Sequence, residues 1–178
     1  MNRKVVYLTG FMASGKSTIG PILANTVGWN FIDLDKEIEK KENKKIRTIF
    51  EENGEKYFRE RETDVLKTLS GNKNLIVALG GGTLVNSENR KIISESGLLI
   101  YLKCSPETAY RRLKHKRDRP ILTTDESPNS NENNLRKKIK ELMFERIKYY
   151  SMADYSFDTE NSNIGQTVDL IARLIQKK

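Results

Sequence analysis

One octapeptide restricts this chain more than any other feature. Gly10-Phe11-Met12-Ala13-Ser14-Gly15-Lys16-Ser17 fits the pattern GxxxxGK[ST] at every fixed position. Its flanks agree with it: Val5-Val6-Tyr7-Leu8 is a short run of β-formers, and Lys16 to Val27 has the pattern of a helix. Strand, glycine loop and helix together form an anion cradle. The glycines let backbone N–H groups turn inward, the helix N-terminus adds positive potential, and Lys16 can reach the outer phosphates of a nucleotide. Ser17 is placed to bind Mg2+, with phosphate oxygens completing the shell.

The rest of the chain repeats the alternation of strand and helix. A second strand is expected at Phe31 to Leu34, helices at Asp35 to Glu42 and Ile46 to Leu69, the latter broken near Gly54, and a buried strand at Leu75 to Leu79. Helix at Asn86 to Glu95, strand at Leu98 to Leu102, helix from Pro106 to about Lys116, helix from about Leu135 to Met152, a short strand at Tyr155 to Phe157 and an amphipathic helix at Gln166 to Ile175 complete the series. Such alternation predicts an α/β fold: three layers around a parallel, five-stranded sheet, with ligands beyond the C-terminal ends of the strands. At 178 residues the chain suits one domain, 1–178. Between Asp118 and Asn134 hydrophobic periodicity disappears, and we read a lid at about 113–133.

A formal net charge of +8 attracts nucleic acid, nucleotides and anionic metabolites alike. The distribution of arginines separates these possibilities. Arg59, Arg112, Arg119 and Arg146 fall in four different expected elements, which suits convergence on a compact pocket better than a surface that tracks a nucleic acid backbone. Glutamates at 37, 39, 42, 141 and 145 also interrupt the basic segments, so no nucleic acid partner is expected. One cysteine, Cys104, excludes an intramolecular disulfide and reads as a buried, inert thiol at a strand end. The apolar run at Val5 to Leu8 is too short for a signal peptide or membrane span, and the cytoplasm is the default. His115, the sole histidine, offers no zinc constellation and reads as helix surface.

The residues of an acceptor site are less self-evident. Asp33 and Asp35 leave the second strand together, on one side of it if the strand continues. Mg2+ between them and the phosphates turns repulsion into attraction, and one carboxylate can instead orient an acceptor hydroxyl; the plainer alternative makes Asp35 a helix N-cap. Gly80-Gly81-Gly82 at a buried strand end implies close approach of backbone to a ligand, or else a left-handed turn needing one glycine. Arg59, taken alone, reads first as a solvated or salt-bridged helix residue, with Glu62 at i,i+3 as its partner. No guanine-reading Asn-Lys-x-Asp is present, since Asn72-Lys73-Asn74 is followed by Leu75, so ATP is the expected donor.

Taken together, these motifs resemble the shikimate kinases, of the nucleoside-monophosphate-kinase-like P-loop group. The resemblance runs from Val5 to Ile175. It is carried by the glycine loop extended to Gly20, Phe-Ile-Asp-Leu-Asp at 31–35, Gly54-Glu55 with Phe58-Arg59 and Glu62, the triple glycine, Arg-Pro-x-Leu at 119–122, and Arg146 with Tyr150 and Ala153-Asp154. It implies transfer of the γ-phosphate of ATP to the 3-hydroxyl of shikimate by a monomer, with Mg2+ as cofactor. It also implies that Gly10, Ala13, Ser14, Gly15, Lys16, Ser17 and Thr18 hold ATP with Arg112, Arg119 and Ile164. Ser17 directly and Asp33 through water would serve the metal. Asp35 would hold the 3-hydroxyl and take its proton, Arg59 and Arg146 would clamp the carboxylate, and Gly80, Gly81 and Gly82 would line the acceptor site within a helical segment at about 34–61. Lys16, Asp35 and Arg119 would be the catalytic residues.

Five positions depart from the family pattern. Ala13 replaces a common glycine, which is tolerated if that residue avoids positive φ; Pro21 stands where a basic residue is frequent, near the helix start. Ile121 replaces Leu, Lys148 takes a proline position, and Ile164 replaces a proline beside adenine. Rival readings are a related kinase acting on gluconate or a nucleoside monophosphate, and a nucleotide-dependent nucleic acid binder.

Overall fold

The computed structural model describes residues 5–114, 131–160 and 163–177. Five strands, β1 (Val5–Thr9), β2 (Asn30–Asp33), β3 (Leu75–Ala78), β4 (Gly97–Lys103) and β5 (Tyr155–Asp158), form one sheet in the order β2-β3-β1-β4-β5. All four pairings are parallel. Parallel neighbours require crossovers, and α1 (Lys16–Val27), α2 (Leu34–Glu42), α3 (Ile46–Ser70), α4 (Ser87–Ser96), α5 (Pro106–Leu113) and α6 (Asn131–Tyr150) provide them, while α7 (Ile164–Gln176) follows the last strand. The expected helix at 135–152 starts earlier, at Asn131, because a polar first turn hides its periodicity.

The alternation of side chains along β1 divides the interior in two. Val5 and Tyr7 join a cluster with Leu34, Ile38, Leu66, Ile93, Ala109 and Ile139, from the helices on one face. Val6 and Leu8 point the other way, onto Ile19 and Leu23 of α1 and Val168 and Ile171 of α7. This is the period-2 rule acting on a strand buried from both sides, and it makes the three layers. Among the described residues no helix is long and apolar enough to cross a membrane.

Two helices near the functional candidates depart from regular geometry. Pro21 lies inside α1 and has no N–H to give the carbonyl of Ser17 four residues back, so the first turn lacks that bond. Gly54 breaks α3 with φ 80 and ψ 172, as the sequence led us to expect, so that the segment carrying Arg59 and Glu62 runs in its own direction. A Cβ on Gly54 would meet nothing within 4 Å, so only the backbone needs glycine there. Gly54→Ala is therefore expected to destabilise the protein by about 1–3 kcal/mol in urea melts without any steric clash.

Candidate active site

The loop after β1 wraps the N-terminus of α1. Gly10 and Gly15 take φ values of 144 and 106, which only glycine adopts without strain. Ala13 also turns to positive φ, at 61. The condition for an unstrained alanine here is therefore not met: the loop takes the left-handed shape with Ala13 in it, at a cost of about 1–2 kcal/mol. Lys16 Nζ donates to the carbonyls of Gly10 at 2.7 Å and Phe11 at 2.9 Å, so its ammonium lies across the loop mouth. A cleft of about 470 Å³ opens there, lined by Ala13, Ser14, Gly15, Lys16, Ser17 and Thr18 of the loop, by Asp33 and Asp35, by Gly80 and Gly81, and by Arg112, Thr159, Ile164 and Thr167.

The two aspartates do not leave a continuous strand side by side. β2 ends at Asp33 and α2 begins at Leu34, which puts Asp35 in the first helical turn. Asp33, not Asp35, is the N-cap, accepting from the Lys36 amide at 3.4 Å. Its other carboxylate oxygen accepts from Ser17 Oγ at 3.0 Å. A hydroxyl and a carboxylate in contact beside the anion cradle are hard oxygen donors of the kind Mg2+ takes, so the residues present fit that ion.

Asp35 faces the other way, onto the triple glycine. None of Gly80, Gly81 and Gly82 has positive φ, so the left-handed turn is excluded as their reason. The reason is crowding by side chains. A Cβ on Gly80 would lie 2.8 Å from Asp35 Oδ1, on Gly81 3.3 Å from Arg146 Nη1, and on Gly82 2.8 Å from Arg59 Nη2. Three successive glycines thus make room for one carboxylate and two guanidinium groups, which meet along one stretch of backbone.

Each arginine is held from behind. Arg59 Nη1 donates to Glu62 at 3.0 Å and Nη2 to Glu55 at 3.0 Å. Burial alone would lower the Arg59 pKa, and the Glu62 and Glu55 carboxylates more than reverse it. Glu62 is fully buried and accepts from Thr83 Oγ1 at 2.6 Å as well. Tyr150, one turn after Arg146, donates its hydroxyl to the Gly81 carbonyl at 2.7 Å, and burial pushes its phenol up to about 12 against the opposing charge of Arg146. Asp154 receives the Leu99 amide at 2.9 Å, which fastens the end of α6 to β4.

On the opposite side of the cleft, Arg112 donates to the Ala13 carbonyl at 2.9 Å. Thr159 follows β5 and donates its hydroxyl toward the Ser14 carbonyl at 3.1 Å. The neighbouring Glu160 accepts from the Ser105 amide at 2.6 Å, and hydrogen bonds from Thr108 and Ser105 pull its carboxyl down to about 2. Cys104 is buried, and burial raises its thiol pKa although Lys16 and Arg112 act against it. An inert thiol is the result. Arg119, His115, Ile121 and most of the expected lid, 115–130, lie outside the described residues.

The structure therefore brings Asp35, Arg59 and Arg146 together at Gly80, Gly81 and Gly82, and Asp35, Gly80 and Gly81 line the same cleft as Lys16, Ser17, Asp33, Arg112 and Ile164. Sequence reasoning paired Glu62 with Arg59 but did not foresee its burial, and it assigned no role to Tyr150 or Thr159. Tyr150 had a usable signal, since it is i+4 from Arg146. Thr159 had none.

Comparison with known proteins matches this arrangement. A family model for shikimate kinase covers residues 12–176. A shikimate kinase of Chlorobium limicola is 45% identical over 174 residues, covering 98% of this chain and 87% of the relative. A solved shikimate kinase from Acinetobacter baumannii, in complex with shikimate, superposes with a TM-score of 0.88 at 34% identity, covering 98% of this chain and 93% of that one. Shikimate kinase from Bacteroides thetaiotaomicron gives 0.87 at 30% identity, with coverage of 97% and 98%. A parallel sheet with a glycine loop after its central strand, a corner where one carboxylate and two guanidinium groups meet, and this depth of similarity have one reading: the chain belongs to the shikimate kinase family.

Proposed function

We propose that this enzyme transfers the γ-phosphate of ATP to the 3-hydroxyl of shikimate, giving shikimate 3-phosphate and ADP, a step in aromatic amino acid biosynthesis by way of chorismate. The observation that carries it is the meeting of Asp35, Arg59 and Arg146 over the glycines at 80–82, beside the phosphate loop. A planar carboxylate on a hydroxylated ring calls for guanidinium forks and an acceptor for its hydroxyl proton, and this corner has both. In this reading Arg59 and Arg146 hold the carboxylate, and Gly80, Gly81 and Gly82 let the ring approach the backbone. Asp35 orients the 3-hydroxyl and accepts its proton as the oxygen attacks.

At the donor end the amides of the loop and Lys16 hold the phosphates in line with that oxygen, so most of the catalysis is positioning and charge stabilisation. Arg112 and Ile164 would flank the adenine, and Arg119, between α5 and α6, would reach the phosphates. Ser17 and Asp33 would hold Mg2+, the latter through water; bound with ATP, the ion offsets phosphate charge. The chain acts as one kinase domain and as a monomer, in the cytoplasm, with two small-molecule partners and neither nucleic acid nor membrane.

The test is ADP release in a coupled assay with ATP and Mg2+, comparing shikimate with quinate, gluconate, AMP, CMP and no acceptor. Release that depends on shikimate, with a product phosphorylated once on the ring, is the expected result. Faster release with gluconate or a nucleoside monophosphate would move the chain's activity to the rival kinase chemistry.

A further inference from the structure

Two successive carbonyls of the phosphate loop are held from outside it. Arg112 Nη1 takes the Ala13 carbonyl at 2.9 Å, and the hydroxyl of Thr159 takes the Ser14 carbonyl at 3.1 Å. The two holders are joined, since Arg112 Nη2 also donates to the Thr159 carbonyl at 3.4 Å. Thr159 is itself fixed to the end of β4: its amide donates to the Lys103 carbonyl at 3.1 Å, and its single hydroxyl proton is shared between that carbonyl, at 2.8 Å, and the Ser14 carbonyl. A rigid strand end thus grips a loop whose Ala13 sits at φ 61.

The grip has a direction. In a trans peptide the C=O and the following N–H point opposite ways. Holding the Ser14 carbonyl against Thr159 therefore aims the Gly15 N–H away from β5, and Gly15 lines the cleft. We propose that Thr159 is a positioning residue for the nucleotide: its hydroxyl keeps the strained loop in the one shape that offers the Gly15 N–H to a phosphate. This rests on reading the loop as the nucleotide site and not on the identity of the acceptor. Without the grip, the loop divides between the held shape and one with Ala13 at an ordinary φ, and apparent affinity falls by the fraction held.

The experiment is calorimetric titration with ADP and Mg2+, with thermal melts to verify folding. Thr159→Val keeps the branched shape and removes the hydroxyl; it should weaken ADP binding about 5-fold, within the worth of one net hydrogen bond whose proton two carbonyls share. Thr159→Ser should bind ADP within about twofold of the native protein, and shikimate titrated alone should bind the valine variant as it binds the native chain. The decisive arm adds Ala13→Gly, which removes the strain the grip opposes. In that background the same valine substitution should cost only about twofold, a non-additivity that a merely structural role would not produce.

Native-like ADP binding by Thr159→Val, or an equal loss in both backgrounds, would overturn the proposal. If the valine variant does not fold, Thr159→Ala carries the same expectations. Native protein that binds ADP but ignores shikimate would refute the acceptor reading while leaving the Thr159 result readable.

Discussion

Asp35→Asn is expected to lower kcat for shikimate phosphorylation by about 10²- to 10⁴-fold, the usual worth of a positioned general base. The amide keeps the size of the carboxylate and can still accept a hydrogen bond from the acceptor hydroxyl, so KM for shikimate should rise only a few-fold. What it cannot do is take the proton. The placement of Asp35 makes this substitution informative: it sits in the first turn of α2 with its Oδ1 pressed toward the backbone of Gly80, so the side chain has little room to move aside. Steady-state kinetics with both substrates varied checks the split. A kcat within about tenfold of native would refute the base role and leave Asp35 as an orienting group.

Arg59→Ala is expected to act twice. Loss of one guanidinium from the carboxylate clamp should raise KM for shikimate by about 30-fold or more, as for a buried charge-assisted pair. The same change strands Glu62, which is fully buried and keeps its bond from Thr83 Oγ1. Breaking a buried pair costs about 3–5 kcal/mol, and the 24% exposure of the Arg59 side chain brings the expected loss down to about 2–3 kcal/mol. The two effects separate in a second variant. Arg59→Ala combined with Glu62→Gln should recover most of the lost stability in denaturant melts, because the buried charge is gone, yet show no recovery of KM. Recovery of both would mean that Arg59 serves the fold and not the acceptor.

The order of strands and helices was legible in the sequence because each is marked by a strong local signal. The glycine loop sits between a β-former run and a helix, Pro106 opens α5, and Gly54 marks the kink in α3. The cap of α2 was not, because Asp33 and Asp35 are both good N-caps and the choice depends on where β2 stops pairing with β3. The acceptor corner was legible in part. The triple glycine announced a close approach, but only the fold could say that side chains from α2, α3 and α6 are what approach it. Thr159 was invisible for a related reason: its partner Ser14 lies 145 positions away, and no local pattern reports a bond of that span. The left-handed Ala13 escaped because a residue's identity constrains φ less than the shape of the loop does.

The position of β1 in the middle of the sheet also sets the order in which the molecule can come together. Its two partners are β3 at 75–78 and β4 at 97–103, so during synthesis β1 and its glycine loop are made long before either neighbour exists. Closing such distant pairings is the slow, entropically costly part of folding a parallel sheet. The segment that looks most self-contained in the sequence is therefore among the last to be secured. Until β3 and β4 pair with β1, the nascent loop has its residues but no sheet to hold them, so nucleotide binding draws the equilibrium toward the finished fold.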